Sequence, residues 1–220
     1  MHCRGPRVLL PELLDHAPPD VTRQNLSELV LINKYLGGHR ILLDRLSEFV
    51  SPSDSFSLLD VGAASGDMAK DAATRFPKMS AFNLDYRALH LENASFARVA
   101  ADAFEMPFAP LSFDFVHCSL FLHHFTNEQV VRLLVNFWTL ARRAVIVQDL
   151  ERHPLAYYFL PATKWLFRWS DIVLHDGPIS VEAAFQREEL LNLARKAGLP
   201  HPSARQHRPA FRISMVAVRS

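Results

Sequence analysis

Residues 58–69, LLDVGAASGDMA, decide the predicted fold, because they join an apolar run to a helical stretch through a glycine-containing turn. A dinucleotide-binding turn needs the spacing G-x-G-x-x-G, which places Gly62, Ala64 and Asp67 at the three glycine positions. Asp67 does not fit, since an acidic side chain at the start of the helix opposes a pyrophosphate. A P-loop is excluded because no Gly-Lys-Ser/Thr follows. Both phosphate-binding turns therefore fail on spacing and on charge.

Short apolar runs alternate with helical stretches from Phe56 onward, which is typical of βαβ units and a mostly parallel sheet. The sequence therefore predicts an α/β fold class. The predicted strands lie at about 56–61, 79–84, 97–100, 113–118 and 144–149. The predicted helices lie at about 66–75, 87–93 and 127–142. The β-rich tail predicts a terminal antiparallel hairpin.

Two segments lie outside this alternation. In residues 21–50, apolar side chains recur at helical spacing on both sides of a glycine pair, so residues 1–52 are predicted to form a helical N-terminal cap. Residues 152–179 are dense in aromatic side chains. They are predicted to form a lid inserted in the domain of residues 53–220 and to line an apolar pocket.

The composition limits the classes of partner. The chain has 220 residues, of which 49% are hydrophobic, which is enough for one substantial core. Its 24 basic and 23 acidic residues give a formal net charge of +1, so no nucleic-acid partner is expected. Cys3 and Cys118 match no metal or redox spacing, and we expect free thiols in a reducing, cytoplasmic compartment. No stretch approaches the roughly 20 apolar residues of a membrane span, so stable membrane insertion is not expected.

The turn fits another spacing, in which an acidic residue at the end of a strand precedes G-x-G-x-G. Asp60, Gly62, Ala64 and Gly66 occupy these positions, and the stretch resembles motif I of the class I S-adenosylmethionine (SAM) methyltransferases. In that family the turn accommodates an amino acid and a nucleoside without phosphate, so acidic residues are tolerated nearby. Ala64 departs from the pattern by one methyl group, which is tolerable if its backbone φ is not positive.

Three further segments follow motif I in the order that the family shows: FNLDY, VAADAFEMPF and FDFVHCSLFLHHF. The resemblance implies that Asp85 accepts the ribose hydroxyls and that Asp102 and Ala103 contact the adenine amino group. It also implies a Rossmann-like, seven-stranded sheet with helices on both faces, SAM as cofactor, and a loop after the fourth strand beside the methyl donor. The predicted cofactor-binding residues are Asp60, Gly62, Ala63, Ala64, Gly66, Asp85, Tyr86, Asp102, Ala103 and Ser119.

Methyl transfer to a hydroxyl needs alignment and, for a weak nucleophile, removal of the proton. His123 and His124 follow the fourth strand, where such a base is needed. An imidazole with a pKa of about 6.5 suits a phenol with a pKa of about 10. We predict His124, and after it His123, as the base; the alternative is that one packs in the core and the other bonds the loop backbone. No local histidine or carboxylate spacing predicts a metal site.

The resemblance is to small-molecule methyltransferases, similar to those of ubiquinone and menaquinone synthesis and to bacterial O-methyltransferases of phenolic or polyketide-derived compounds. We predict methylation of a small, aromatic, hydroxylated molecule, with oxygen as the preferred acceptor. Two alternatives stay open: methylation of a ring carbon, and a SAM-binding partner protein without transfer activity. A homodimer also stays open. A nicotinamide-dependent oxidoreductase is disfavoured, because the sequence lacks both its glycine spacing and a Tyr-x-x-x-Lys pair.

Overall fold

The computed structural model describes Cys3 and residues 5–219, and its elements alternate as the sequence predicts. In these residues the strands are β1 (Phe56–Val61), β2 (Met79–Asp85), β3 (Ala97–Ala100), β4 (Phe113–Ser119), β5 (Ala141–Leu150), β6 (Ser203–His207) and β7 (Arg212–Val218). The α-helices are α1 (Pro19–Tyr35), α2 (Gly38–Leu46), α3 (Asp67–Arg75), α4 (Asn127–Leu140), α5 (Pro154–Phe167), α6 (Asp171–Ala183) and α7 (Arg187–Lys196). Short 3-10 turns cover Leu13–His16 and Leu122–His124.

The strands form one sheet in the order β3-β2-β1-β4-β5-β7-β6. Strands β1 to β5 are parallel to one another, whereas β7 runs antiparallel to both β5 and β6. The seven-stranded, Rossmann-like sheet and the terminal hairpin are thus confirmed. Because the chain leaves β1 for β2 on one side and reaches β4 on the other, the turn after β1 lies at the topological switch point. Open α/β sheets bind their ligands at this point.

Helices cover both faces of the sheet. Leu58 and Leu59 are neighbours in β1 and therefore point to opposite faces. Leu59 packs into a buried cluster with side chains of α4 and α7, and Leu58 packs into a second cluster with side chains of α2 and α3. Since α2 packs directly on the sheet, the proposed boundary at residue 52 separates segments that share a core.

Two predicted boundaries differ from the structure. The helix expected at 87–93 is absent, because this segment forms successive turns with bonds from residue i+3 back to i. The Asp85 carboxylate accepts the Arg87 backbone N–H at 3.0 Å, as a helix N-cap does, yet the bonds that follow have the i+3 to i spacing of turns. Strand β5 begins at Ala141, three residues before the predicted start, directly after α4. Thr126 and Gln129 form a capping box at the start of α4.

The N-terminal segment, residues 5–18, and the helix pair α5–α6 lie together over the carboxyl edge of the sheet. The Asp176 carboxylate in α6 accepts the backbone N–H groups of Leu13 and Leu14, at 2.9 and 3.1 Å. At the start of α6, Ser170 donates its hydroxyl to Glu28 of α1 at 2.6 Å. The predicted lid is therefore a pair of helices bonded to the N-terminal segment.

Both cysteines are buried free thiols, as expected. Among the residues that the structure describes, no helix combines the length and the apolar character that a membrane crossing requires.

Candidate active site

The turn after β1 is held in left-handed backbone conformations. Gly62 and Gly66 have φ of 69° and 70°, and Ala64 has φ of 47°. The condition under which alanine is tolerated without strain is therefore not met, and a left-handed residue other than glycine costs about 1–2 kcal/mol. The backbone N–H groups of Gly62 and Ala63 both donate to the Leu84 carbonyl, which ties the turn to β2.

Asp85, at the end of β2, also bonds the turn to β2. Its Oδ2 accepts the Ala64 backbone N–H at 3.0 Å, and its Oδ1 lies 3.0 Å from both the Arg87 N–H and Nδ1 of His90. The carboxylate is buried, yet it also lines a cavity at the carboxyl edge of the sheet. Asp85 therefore stabilises the turn in addition to the ribose contact that the resemblance implies.

Asp60, at the end of β1, lies beneath the turn. Its Oδ1 is 2.7 Å from Nδ1 of His117, and both side chains are buried. Burial raises the pKa of the Asp60 carboxyl, and the attraction of His117 only partly opposes this. Within the described residues, Asp60 Oδ2 and the hydroxyl of Ser119 are buried without a hydrogen-bond partner. These two unpartnered polar groups thus lie at the ends of neighbouring strands.

A cavity of about 830 Å³ opens at the carboxyl edge of the sheet. This volume lies in the upper part of the range for ligand sites, roughly 300–1,000 Å³. Of the residues predicted for the site, it brings together Gly62, Ala64, Asp85, Tyr86, Asp102, Ala103, His123 and His124. The others do not line it: Asp60, Ala63, Gly66 and Ser119.

The segment that is predicted to contact adenine forms one edge of this cavity and is fixed by hydrogen bonds. Asp102 Oδ1 accepts the Phe104 backbone N–H at 2.8 Å, and the carbonyls of Ala103 and Phe104 accept the Asn136 amide. Tyr86 is 78% exposed, so its ring is available to a ligand without moving any core residue. Gly62 lets the Phe121 ring pack directly against the turn, because a Cβ at position 62 would lie 2.3 Å from that ring.

His123 lies at the inner wall of the cavity and pairs with Asp149 at the end of β5. Its Nδ1 is 2.6 Å from Asp149 Oδ1, and its backbone N–H donates to Asp149 Oδ2 at 3.2 Å. Burial lowers the pKa of His123, but the carboxylates of Asp149 and Glu12 outweigh it and raise this pKa to about 10. His123 is therefore an imidazolium at neutral pH, which stabilises a negative oxygen but does not accept a proton.

Glu12 reaches the histidines from the N-terminal segment, far from them in sequence. Its Oε1 lies 3.8 Å from His123 Nε2 and 3.7 Å from His124 Nδ1, and it accepts the Ser180 hydroxyl of α6. Burial raises the pKa of Glu12, yet its interactions with His123, His124 and the Ser180 hydroxyl together lower this pKa to about 2. Glu12 is thus an anion throughout the neutral range.

Potential ligand atoms of Glu12, His123 and His124 lie within 4.8 Å of one another, although no local spacing predicts such a cluster. The sequence analysis considered local spacing alone, and the structure brings these three residues together from distant positions. Because Asp149 and Glu12 flank His123, we interpret the cluster as an acid–base group.

Apolar side chains form the remaining wall of the cavity. They come from α1, from the loop after β4 and from the helix pair α5–α6. They include Leu26, Leu29, Phe121, Phe125, Phe159, Leu160 and Val173. The aromatic insert thus contributes to the pocket, as predicted.

The sequence reasoning missed Glu12, Asp149 and Ser180. Asp149 could have been predicted, because it lies at the end of the strand next to β4. Acidic residues at the carboxyl ends of neighbouring parallel strands meet at one edge of the sheet. Glu12 and Ser180 offered no comparable signal, since their approach depends on how the N-terminal segment folds back over α6.

Comparisons with known proteins bear on the fold that carries this site. Residues 59–147 match the family model described as a methyltransferase domain. No curated protein sequence matches the chain. A protein of Nostoc punctiforme assigned as an O-methyltransferase has 20% identity and a TM-score of 0.63, covering 83% of this chain and 56% of that one.

Two further structures hold the cofactor or its product. The plantazolicin methyltransferase BpumL, in complex with S-adenosylhomocysteine (SAH), has 12% identity and a TM-score of 0.69, and the match covers 90% of each chain. Human N-acetylserotonin methyltransferase, in complex with SAM, has 13% identity and a TM-score of 0.66, covering 92% of this chain and 57% of that one. The chain thus spans little more than half of the Nostoc and human proteins. Residues 59–147 are a methyltransferase domain, and the chain that contains it has the fold of the class I SAM-dependent methyltransferases.

Proposed function

We propose that the protein transfers the methyl group of SAM to a hydroxyl oxygen of a small aromatic molecule. The observation that carries this proposal is a single cavity, which joins the turn after β1 to the Glu12–His123–His124 cluster between apolar walls. A cofactor at the turn and an acceptor against the histidines then share one cavity, as an in-line displacement requires.

The bound cofactor supplies a methyl group already activated on a sulfonium, so the chain's residues have to bind, align and deprotonate. Asp85, Tyr86 and Asp102 border the nucleoside end of the cavity. The His123 imidazolium, fixed by Asp149, stabilises the negative charge that develops on the acceptor oxygen. His124 takes the proton; its side chain is 35% exposed and can pass the proton to solvent.

An aromatic acceptor suits the walls of the cavity. Phe121 and Phe125 lie edge to face at 4.9 Å, and Phe159 and Leu160 face the same space from α5. Such surfaces favour a flat apolar ring, and an aromatic face also attracts the sulfonium. Glu12, His123 and His124 border the same space, which suits a molecule with a hydroxyl on one side.

The first test is binding by calorimetry with SAM, SAH and NAD. Binding of SAM and SAH is expected, and binding of NAD alone would contradict the proposal. The second is incubation of methyl-labelled SAM with a panel of phenols, followed by mass analysis of the products. An O-methyl product supports the proposal, a C-methyl product moves the acceptor to ring carbon, and tight SAM binding without product indicates a partner protein.

The roles of the histidines are tested by His124→Ala and His123→Ala. A general base contributes about 10²–10⁴-fold to the rate, so turnover with phenols is expected to fall at least about 100-fold in His124→Ala. His201→Asn is the matched control, because His201 is exposed and its φ of 41° suits asparagine. Unchanged turnover in both alanine variants would remove the histidines from the proposal.

A further inference from the structure

The Asp85 carboxylate is already engaged by three groups of the chain. Its Oδ2 accepts the Ala64 backbone N–H, and its Oδ1 accepts that of Arg87 and lies opposite Nδ1 of His90, each at 3.0 Å. A carboxylate has about four lone-pair sites, so these bonds leave one site for a ligand. The two ribose hydroxyls that the resemblance assigns to Asp85 therefore need a second acceptor if both are to be bound.

The two ring nitrogens of His90 have different surroundings. Because the Asp85 carboxylate that faces Nδ1 only accepts hydrogen bonds, Nδ1 carries a proton. In the neutral ring, Nε2 is then an acceptor. Within the described residues, this Nε2 is buried and has no hydrogen-bond partner. Buried polar atoms rarely lack a partner, which indicates that a bound group donates to Nε2.

His90 is held at the cofactor end of the cavity, whose wall it forms together with Asp85. Two residues further along, the Glu92 carboxylate pairs with Arg23 of α1 at 3.1 Å, and the Glu92 carbonyl accepts Arg98 at 2.9 Å. These bonds, with the one to Asp85, keep the imidazole beside the carboxylate at which the ribose is expected.

The unpartnered buried atoms of this cavity wall share one chemistry. Asn25 of α1 lines the same cavity and is only 4% exposed, and within the part of the chain that is described its Oδ1 lacks a partner. Like Nε2 of His90, this oxygen is an acceptor. The nucleoside of SAM carries donors, namely two ribose hydroxyls and an adenine amino group. The wall thus complements the hydrogen-bonding groups of the nucleoside.

We propose that His90 is a further cofactor-binding residue, whose Nε2 accepts one ribose hydroxyl of SAM while Asp85 accepts the other. The inference goes beyond the proposed function, because it concerns the cofactor and holds for an oxygen acceptor, a carbon acceptor or a partner protein. One hydroxyl then bonds a neutral imidazole and the other a carboxylate. Hydrogen bonds to charged groups are roughly twice as strong as neutral ones, so the two hydroxyls contribute unequally to affinity.

The test is calorimetry of SAH, 2′-deoxy-SAH and 3′-deoxy-SAH with the native protein and His90→Asn, at mildly alkaline pH. Asparagine keeps an N–H near the position of Nδ1 for the bond to Asp85, but it has no acceptor at the position of Nε2. The native protein is expected to bind one analogue about twofold to tenfold more weakly than SAH, and the other more than about tenfold more weakly. In His90→Asn the smaller of these ratios is expected to fall to about one, while the larger is kept.

His201→Asn is the matched control, because it makes the same change at an exposed position that does not line the cavity. It is expected to leave all three affinities within about twofold of the native values. If His90→Asn weakens SAH and both analogues by the same factor, the role of His90 is merely structural and the inference is overturned. Unchanged affinities for all three ligands would overturn it as well.

NMR of isotope-labelled histidine gives a second readout, taken from the native protein. The His90 signals, assigned by their loss in His90→Asn, are expected to show the proton on Nδ1. The Nε2 signal is expected to shift when SAH binds, and to shift less with the analogue that lacks the hydroxyl it accepts. Equal shifts with SAH and both analogues would contradict the inference.

Neither measurement involves a methyl acceptor, so the inference and the proposed function can fail separately. Discrimination between SAH and one analogue through His90, without methylation of any phenol, would leave the inference standing and remove the proposed function. Methylation of a phenol together with equal shifts for all three ligands would have the opposite meaning.

Discussion

The two ends of the cavity are built in different ways. The cofactor end consists of turns that follow β1, β2 and β3 within about fifty residues of sequence, fastened by backbone bonds such as those to Leu84. The acceptor end combines Glu12, His123, Asp149 and Ser180, which come from four separate parts of the chain. The first end depends on local backbone conformation, and the second depends on long-range ion pairs and hydrogen bonds.

This difference indicates how the two ends respond to change. A substitution in the turn alters backbone conformation and cofactor affinity together. A substitution in the acceptor end alters buried charge, so its effect depends on pH. The N-terminal segment and α6 lie outside the matched residues 59–147, so a common fold leaves the acceptor end free to differ between proteins.

Asp149→Asn is expected to have the largest effect, because it removes the main partner of the buried His123. Breaking a buried pair costs about 3–5 kcal/mol, and we expect a loss of about 3 kcal/mol at neutral pH since His123 then becomes neutral. The pKa of His123 is raised from 6.5 to about 10, so its stabilisation is complete below pH 6.5 and is lost as the pH rises toward 10.

Urea unfolding between pH 7 and 10 measures this effect. The native protein is expected to lose stability across the interval, and Asp149→Asn is expected to show a much flatter curve from a lower start. Asp44→Asn is the control, since Asp44 is exposed and only weakly paired with Arg40 at 3.6 Å. Parallel curves for the native protein and Asp149→Asn would show that the imidazolium is not stabilised by Asp149.

Gly62→Ala is expected to be next in size. A Cβ at this position lies 2.3 Å from the Phe121 ring, and φ is 69°. Strain and overpacking together are expected to cost about 2–3 kcal/mol and to weaken SAM binding. Gly198→Ala separates the two causes, because Gly198 has φ of 76° with no atom within 4 Å of its Cβ position. Equal losses in the two variants would mean that Phe121 moves aside freely.

The sequence locates part of the cofactor end because the information there is local. Strand ends, a glycine spacing and acidic residues at fixed places are enough to locate Asp85 and Asp102 at the cavity. The backbone of Ala64 was not predictable, since one methyl group does not reveal the sign of φ. The helix predicted at 87–93 is replaced by turns, although Asp85 accepts the Arg87 backbone N–H as it would at a helix start.

The acceptor end was predicted only in part. His123 and His124 follow a strand and so were placed correctly in the cavity, but their charge states depend on Glu12 and Asp149. Those carboxylates are brought in by tertiary packing, and helical or strand periodicity carries no information about it. A preference for His124 as the base is consistent with the charge on His123, although the sequence analysis did not derive it from that charge.

Asp176→Asn tests whether the N-terminal segment acts on the acceptor end alone. Its carboxylate accepts two backbone N–H groups, and hydrogen bonds to a charged group contribute about 1.5–3 kcal/mol each. We expect faster proteolysis within the N-terminal segment, a roughly tenfold rise in KM for the phenol, equivalent to about 1.4 kcal/mol, and little change in SAM affinity. Asp171→Asn in the exposed first turn of α6 is the control. An equal fall in SAM affinity would contradict the separation of the two ends.

Ala64→Gly is expected to have the smallest effect and the opposite sign. Glycine relieves a left-handed strain of about 1–2 kcal/mol, while its greater freedom in the unfolded chain takes back about 0.4–1 kcal/mol, so a net gain of about 0.5 kcal/mol is expected. Ala63→Gly is the matched control: it is buried beside Ala64 without a positive φ, so the same change is expected to destabilise by about 1 kcal/mol. SAM affinity by calorimetry is expected to stay within about threefold in Ala64→Gly, because the backbone N–H that bonds Asp85 is kept. A large gain in affinity would instead mean that the native turn is impaired, and it would favour a partner protein without transfer activity over an enzyme.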